Sequence, residues 1–261
     1  MKMWVAVFIF LISICSGCYK KMEPSANEKG LCGEIYFTVN GEDFVRNGFT
    51  GKDGWNLLFD HLYVNIVNPS AYSSRDSLLS VLEGDFFVDL AETRAGIQEI
   101  GFNKNVPPGN YQSLKFHIKR LKKGKYRGYS IVMIGSASKE GRIIPFEIKL
   151  DEEMCFDGKE GYVGEELKGL LLPRGKTRVE MTFHFDHVFG DMESSPEDHV
   201  NRDSVGFGFF CKYINNGKLA VSQKEISKDQ NYPMLIKSIW STGHLGEGHC
   251  EVSEQSSCGK F

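Results

Sequence analysis

The chain has 261 residues, of which 41% are hydrophobic and 25% charged, and carries a formal net charge of −3. That length and apolar content suit one domain with a sizeable core. There is no basic excess to neutralise phosphates, which argues against a nucleic-acid partner, and the local basic run 122–127 (KKGKYR) reads as a solvated loop between two strands.

In chain order, Lys2 precedes an almost unbroken apolar run of eleven residues, Trp4 to Ile14, and then small or polar residues lead to Cys18. A membrane-spanning helix needs about 20 apolar residues, whereas a charged start, a short apolar stretch and a small-residue cut site make a secretory signal. The Cys15-Ser16-Gly17-Cys18 sequence resembles a bacterial lipobox, with Cys15 standing where Leu is usual. The resemblance implies a signal peptide over 1–17, a lipid on Cys18, a polar tether over 18–30, and residence on the periplasmic face of the outer membrane. Loss of Lys2 with the leader takes the net charge one unit lower. Of seven cysteines, Cys32, Cys155, Cys211, Cys250 and Cys258 remain for pairing. An oxidising envelope permits disulfides, but the number is odd. Either a Cys250–Cys258 loop or a clamp from Cys155 to the tail fits.

Residues 31–261 read as a single domain. Ile35, Phe37 and Val39 alternate with polar residues, and Asn40-Gly41 then offers a tight turn. Trp55 to Val67, apolar on both faces, reads as a buried central strand, and Phe86 to Leu90 as a short one. Val106-Pro107-Pro108-Gly109-Asn110 is a turn by composition. Leu114, Phe116 and Ile118 then face one way, with His117 on the solvated side. Tyr129–Ala137 and Ile143–Leu150 flank a hairpin turn, with Pro145 marking an edge or a bulge. Residues 151–176 are irregular, Val179–Phe189 reads as the last long strand, and 190–205 as an acidic loop. The stretch 218–241 is partly helical, with Pro233 at a first-turn position. Short strands broken by Gly, Pro and Asn predict a mainly β fold: an antiparallel β-sandwich with a short C-terminal helical appendage and a Gly-His-rich tail.

Phe-Asp-His occurs twice, as Phe59-Asp60-His61 and Phe185-Asp186-His187, the second preceded by His184. Alternation along a strand predicts His61 on the face of Phe59 and Tyr63, and His187 opposite to His184 and Asp186. The tail Gly243-His244-Leu245-Gly246-Glu247-Gly248-His249-Cys250 adds two imidazoles and a carboxylate on a glycine-rich segment. Imidazole is a borderline-soft donor, and a carboxylate completes or orients such a shell. The candidate metal ligands are therefore His61, His184, His187, His244, His249, Asp60, Asp186 and Glu247, with zinc or copper as the ion. Trp55, Tyr63 and Tyr72 offer a platform for a glycan, but Trp55 and Tyr63 lie in a strand that reads as central, where core packing is the better reading; the alternative role is a surface module binding a glycan or protein partner. No nucleophile elbow, phosphate-binding loop or zinc-protease motif occurs, so the sequence does not ask for an enzyme.

Phe87-Val88-Asp89-Leu90, the Val106-to-Tyr111 turn leading into Leu114-Lys115-Phe116, and Val179 to Phe183 are similar to bacterial lipoproteins with an MbnP-like β-sandwich domain. That resemblance implies the sandwich fold and the envelope. It also implies copper binding beside a di-haem partner in some members, so that an envelope protein or transporter becomes an expected partner. The chain lacks the closely placed cysteines of the copper-binding members, and no ligand position carries over.

Overall fold

The computed structural model describes residues 31–73, 78–92, 96–159, 168–246 and 248–254. The expected leader, Cys18, the tether, Glu247 and Cys258 lie outside them. Among the described residues no helix is long and apolar enough to cross a membrane.

The fold is mainly β, with two packed sheets and small helical parts. One sheet has five strands in the order Gly248–His249, Gly243–Leu245, Lys176–Phe183, Gly33–Asn40, Gln98–Val106. The other is built on the 18-residue strand Asn56–Ser73, flanked by Ile131–Lys139 and Ser113–Ile118. It continues outward through Arg142–Leu150 and Lys218–Ser222 on one side, and through Met154–Gly158 and Glu251–Glu254 on the other. Most pairings are antiparallel. Gly33–Asn40 with Lys176–Phe183, and Arg142–Leu150 with Lys218–Ser222, are parallel.

Phenylalanines join the sheets. Phe183 from the five-stranded sheet meets Phe116 and Phe156 from the large one, with ring centres 5.6 and 6.4 Å apart. All three are fully buried, as are Ile35, Phe37 and Val39, whose alternation was visible in the sequence. An aromatic side chain buried this way contributes about 3–5 kcal/mol against truncation to Ala.

Several expectations need correction. Asn40-Gly41 leads into a short helix, Glu42–Asn47, rather than a hairpin. The long strand alternates between buried and exposed residues in its first part, so only its later part is covered on both faces. A register shift between Phe59 and His61 marks a bulge that breaks the alternation. Phe59 faces the core, while His61 lies outside and stacks on Tyr63 at 5.1 Å. The last long strand ends at Phe183, and Asp186–Phe189 is a helical turn. His117 is half-buried rather than solvated, and burial, with Lys119 and Lys115 nearby, holds its pKa below the usual imidazole value. Pro145 sits in register opposite Ser136, just before the part of its strand that pairs with Lys218–Ser222. Its missing N–H therefore costs no ladder bond there.

Candidate metal centre

The segment 184–189 reads H-F-D-H-V-F. Its apolar residues Phe185, Val188 and Phe189 are spaced three and four apart and are all fully buried. That is a helical period, and burying it winds the chain into a turn closed by His187 N–H donating to the His184 carbonyl. Residues three apart on a turn lie on one side, so His184 and His187 come together, with ring centres 5.7 Å apart. The alternating arrangement expected for a strand placed them on opposite faces.

The tail supplies the next two rings. Gly243–Leu245 adds to the edge of Lys176–Phe183, with His244 opposite Thr182, and His249 folds back opposite His244. Gly243 is what allows this approach, because a Cβ there would stand 2.4 Å from a ring carbon of Phe156. His244 lies 4.1 Å from His184, 5.0 Å from His187 and 4.4 Å from His249, ring centre to ring centre.

A fifth imidazole comes from the acidic loop. His199 begins the helical turn His199–Arg202 and lies 5.7 Å from His187 and 5.5 Å from His249. The loop is held by Asn201, whose side-chain amide donates to the carbonyls of Asp191, Ser194 and Ser195. Lys52 adds to this by donating to the carbonyls of Asn201 and Ser204. His199 is not among the sequence-derived ligands, because its segment has no periodicity and is dominated by acidic residues. One signal was present: five of the seven histidines fall within 184–249.

Ser241, also unforeseen, sets the protonation of two rings. Its hydroxyl donates to the Ser238 carbonyl and so accepts from His187 Nδ1 at 3.2 Å, leaving His187 Nε2 with its lone pair. Its carbonyl accepts from His244 Nε2 at 3.2 Å, leaving Nδ1 as the basic nitrogen of that ring. His244 Nδ1 is buried without a hydrogen-bond partner, and so is Asp186 Oδ1. A buried, unserved lone pair is costly, and a neutral imidazole whose other nitrogen is tied to a carbonyl or hydroxyl is how metal-ligating histidines are normally held.

Donor atoms of His184, Asp186 and His187 all lie within 4.8 Å of one another. Ligands on one tetrahedral zinc, at about 2.0–2.1 Å from the ion, stand about 3.3 Å apart, so small rotations would close the set. Burial, with His184, His249 and His199 adding repulsion, pushes His187 down to about 4. Burial and the neighbouring imidazoles push His244 down to about 2, and His249 is lowered chiefly by burial. Burial raises the Asp186 carboxyl to about 6, against the pull of backbone N–H groups. At neutral pH His187, His244 and His249 are therefore neutral, beside a mainly ionised Asp186 carboxylate.

The remaining sequence candidates are placed elsewhere. His61 Nδ1 pairs with Asp89 Oδ2 at 2.6 Å on the outer side of the large sheet, and Asp60 is exposed at the bulge. Asp89 also accepts from the backbone N–H groups of Leu62 and Ala91, so the first Phe-Asp-His is a locally satisfied arrangement. Cys250 follows His249, but burial lifts its thiol to about 12, which keeps it protonated. Cys155 is disulfide-bonded. Trp55 packs on Phe207 in the core, and Tyr72 is buried with its hydroxyl donating to Asp157, so neither offers an open aromatic surface. No family model, curated protein or solved structure matches the chain, and what the cluster does must be read from its own geometry.

Proposed function

We propose that this chain is a membrane-anchored lipoprotein of the bacterial envelope that binds zinc or copper at the buried cluster of His184, Asp186, His187 and His244, with the exposed His199 and His249 at its mouth. The observation that carries the reading is the convergence of five imidazoles from three separate segments, two of them, His184 and His187, beside the buried Asp186 carboxylate. Isolated histidines satisfy themselves one at a time with a carboxylate or a carbonyl, as His61 does with Asp89. Packing five together, with burial depressing the pKa of at least three, costs folding energy that an ion repays. The donor set contains nitrogen and carboxylate oxygen, and the nearby thiol is protonated. That chemistry suits Zn2+ or Cu2+ rather than Cu+, which favours soft sulfur donors.

The test uses mature, untagged protein, loaded with zinc or copper, desalted and analysed for metal. About one ion per chain is expected, and the variant His187→Ala/His244→Ala should bind at least 100-fold more weakly. Wild-type protein that retains neither metal would rule the reading out.

A further inference from the structure

The cluster is not uniform in depth, and the difference has consequences for how an ion enters and leaves. His244, His187 and Asp186 are 3%, 7% and 8% exposed, whereas His199 and His249 are open to solvent. His187, His199 and His249 line a small cleft of about 50 Å³ together with Asp203, Lys237 and Ser241. Their ring centres form a nearly equilateral triangle with sides of 5.7, 5.5 and 5.7 Å. Three imidazoles sharing one tetrahedral ion have ring centres about 5 Å apart, so this triangle is close to a three-histidine site whose fourth position faces the cleft. Behind it lies the second group of His184, Asp186 and His244, with His187 common to both.

Resting on the metal-binding reading above, we propose that the cluster has two stations for one ion. The outer station is His187, His199 and His249, where the ion is captured and released. The inner station is His184, Asp186, His187 and His244, where it is held. His187 stays bound while its companions change. The fourth position of the outer station takes water, or a donor atom of whatever chelator or protein delivers or receives the ion. Exchange is then stepwise ligand substitution: each incoming donor displaces a water or an imidazole, with no redox change and no bare ion at any point. Three protein ligands and one open position are what distinguish exchangeable or catalytic zinc sites from closed structural ones.

The experiment compares zinc-loaded wild-type chain with His199→Ala/His249→Ala, following zinc release to an excess of a metallochromic chelator by stopped flow. Metal content is measured at equilibrium beforehand. Both substituted residues are exposed, so folding is preserved, and far-UV circular dichroism checks it. The proposal expects the double variant to keep about one zinc per chain and to release it at least 10-fold more slowly. The companion variant His184→Ala/His244→Ala should still take zinc, more weakly, and release it faster than wild type. Release from His199→Ala/His249→Ala within twofold of wild type would overturn the two-station scheme, since the ion would then be leaving by another route. Loss of zinc from that variant would also overturn it, by showing one site made of all the rings. Either result would leave the metal-binding reading intact, whereas wild-type chain that takes up no zinc would remove both.

Discussion

Ser241 offers two oxygens to the cluster, and they do different work. The carbonyl fixes His244 with Nδ1 basic and survives any substitution, while the hydroxyl fixes His187 with Nε2 basic and does not. Ser241→Ala should therefore free the His187 tautomer without moving His244. The expected result is a loss of about 10-fold in zinc affinity in competition titration, with little change in the midpoint of unfolding of the metal-free protein. The same residues set the pH range. An unperturbed imidazole loses its ligand character below about 6.5, but burial holds His187 neutral to about 4 and His244 to about 2. Zinc affinity should thus weaken modestly as Asp186 takes up its proton near pH 6, and fall steeply only towards pH 4, where His187 follows. A midpoint at 6.5 in pH-dependent metal retention would show that the buried rings are not the ligands.

Among the elements, those that follow a simple period were legible and those that break it were not. Strand 33–40 and the hairpin from 131 to 150 announce themselves by alternation and by turn residues, because each has one face on the core and one facing out. The two Phe-Asp-His motifs look alike in sequence and end in different structures. The first sits in a strand with a bulge, which rotates His61 outward. The second lies where Phe185, Val188 and Phe189 switch the apolar spacing from two to three and four, and the chain coils to bury them. That switch is present in the sequence, but it is masked by the apolar alternation that continues unbroken from Val179. The convergence of the tail and the His199 loop depends on long-range pairing that no local pattern encodes. Gly243 is the tail's most exacting position: Gly243→Ala brings a methyl to 2.4 Å from the Phe156 ring. The tail strand must then shift, at a cost of about 1–3 kcal/mol. The expected outcome is a lower unfolding midpoint together with at least 10-fold weaker zinc binding, measured on the same preparation.

For the whole molecule, the cluster makes stability depend on pH and on metal. His187 and His244 have folded pKa values below the unfolded value of about 6.5, so the stability they contribute is complete above that pH and is lost as pH falls. Asp186 acts in the opposite sense: its folded pKa of about 6 exceeds the ordinary carboxylate value of about 3.9, so its cost is relieved over the same descent. Between pH 6 and 4 His187 and His244 lose while Asp186 gains, a net loss on the order of 1 kcal/mol per pH unit, and the lowered His249 and His117 add in the same direction. Denaturant titrations of metal-free protein at pH 6, 5 and 4 should show this slope. A flat profile would mean that the rings are not buried in the folded state.

In the tail, Gly243–Leu245 pairs with Lys176–Phe183 in one sheet and Glu251–Glu254 with Met154–Gly158 in the other. The tail is therefore a stitch across the open side of the sandwich, and it covers an edge of each sheet. Bare edges of this kind template pairing with other chains. A chain lacking residues 243–261 should consequently self-associate, detectable by light scattering, even though most of its core remains. In the full chain an ion gripping both the tail and the 184–187 turn would fasten that stitch, so the cluster would also guard against polymerisation, and stripping the metal would loosen the seam before it unfolds the domain.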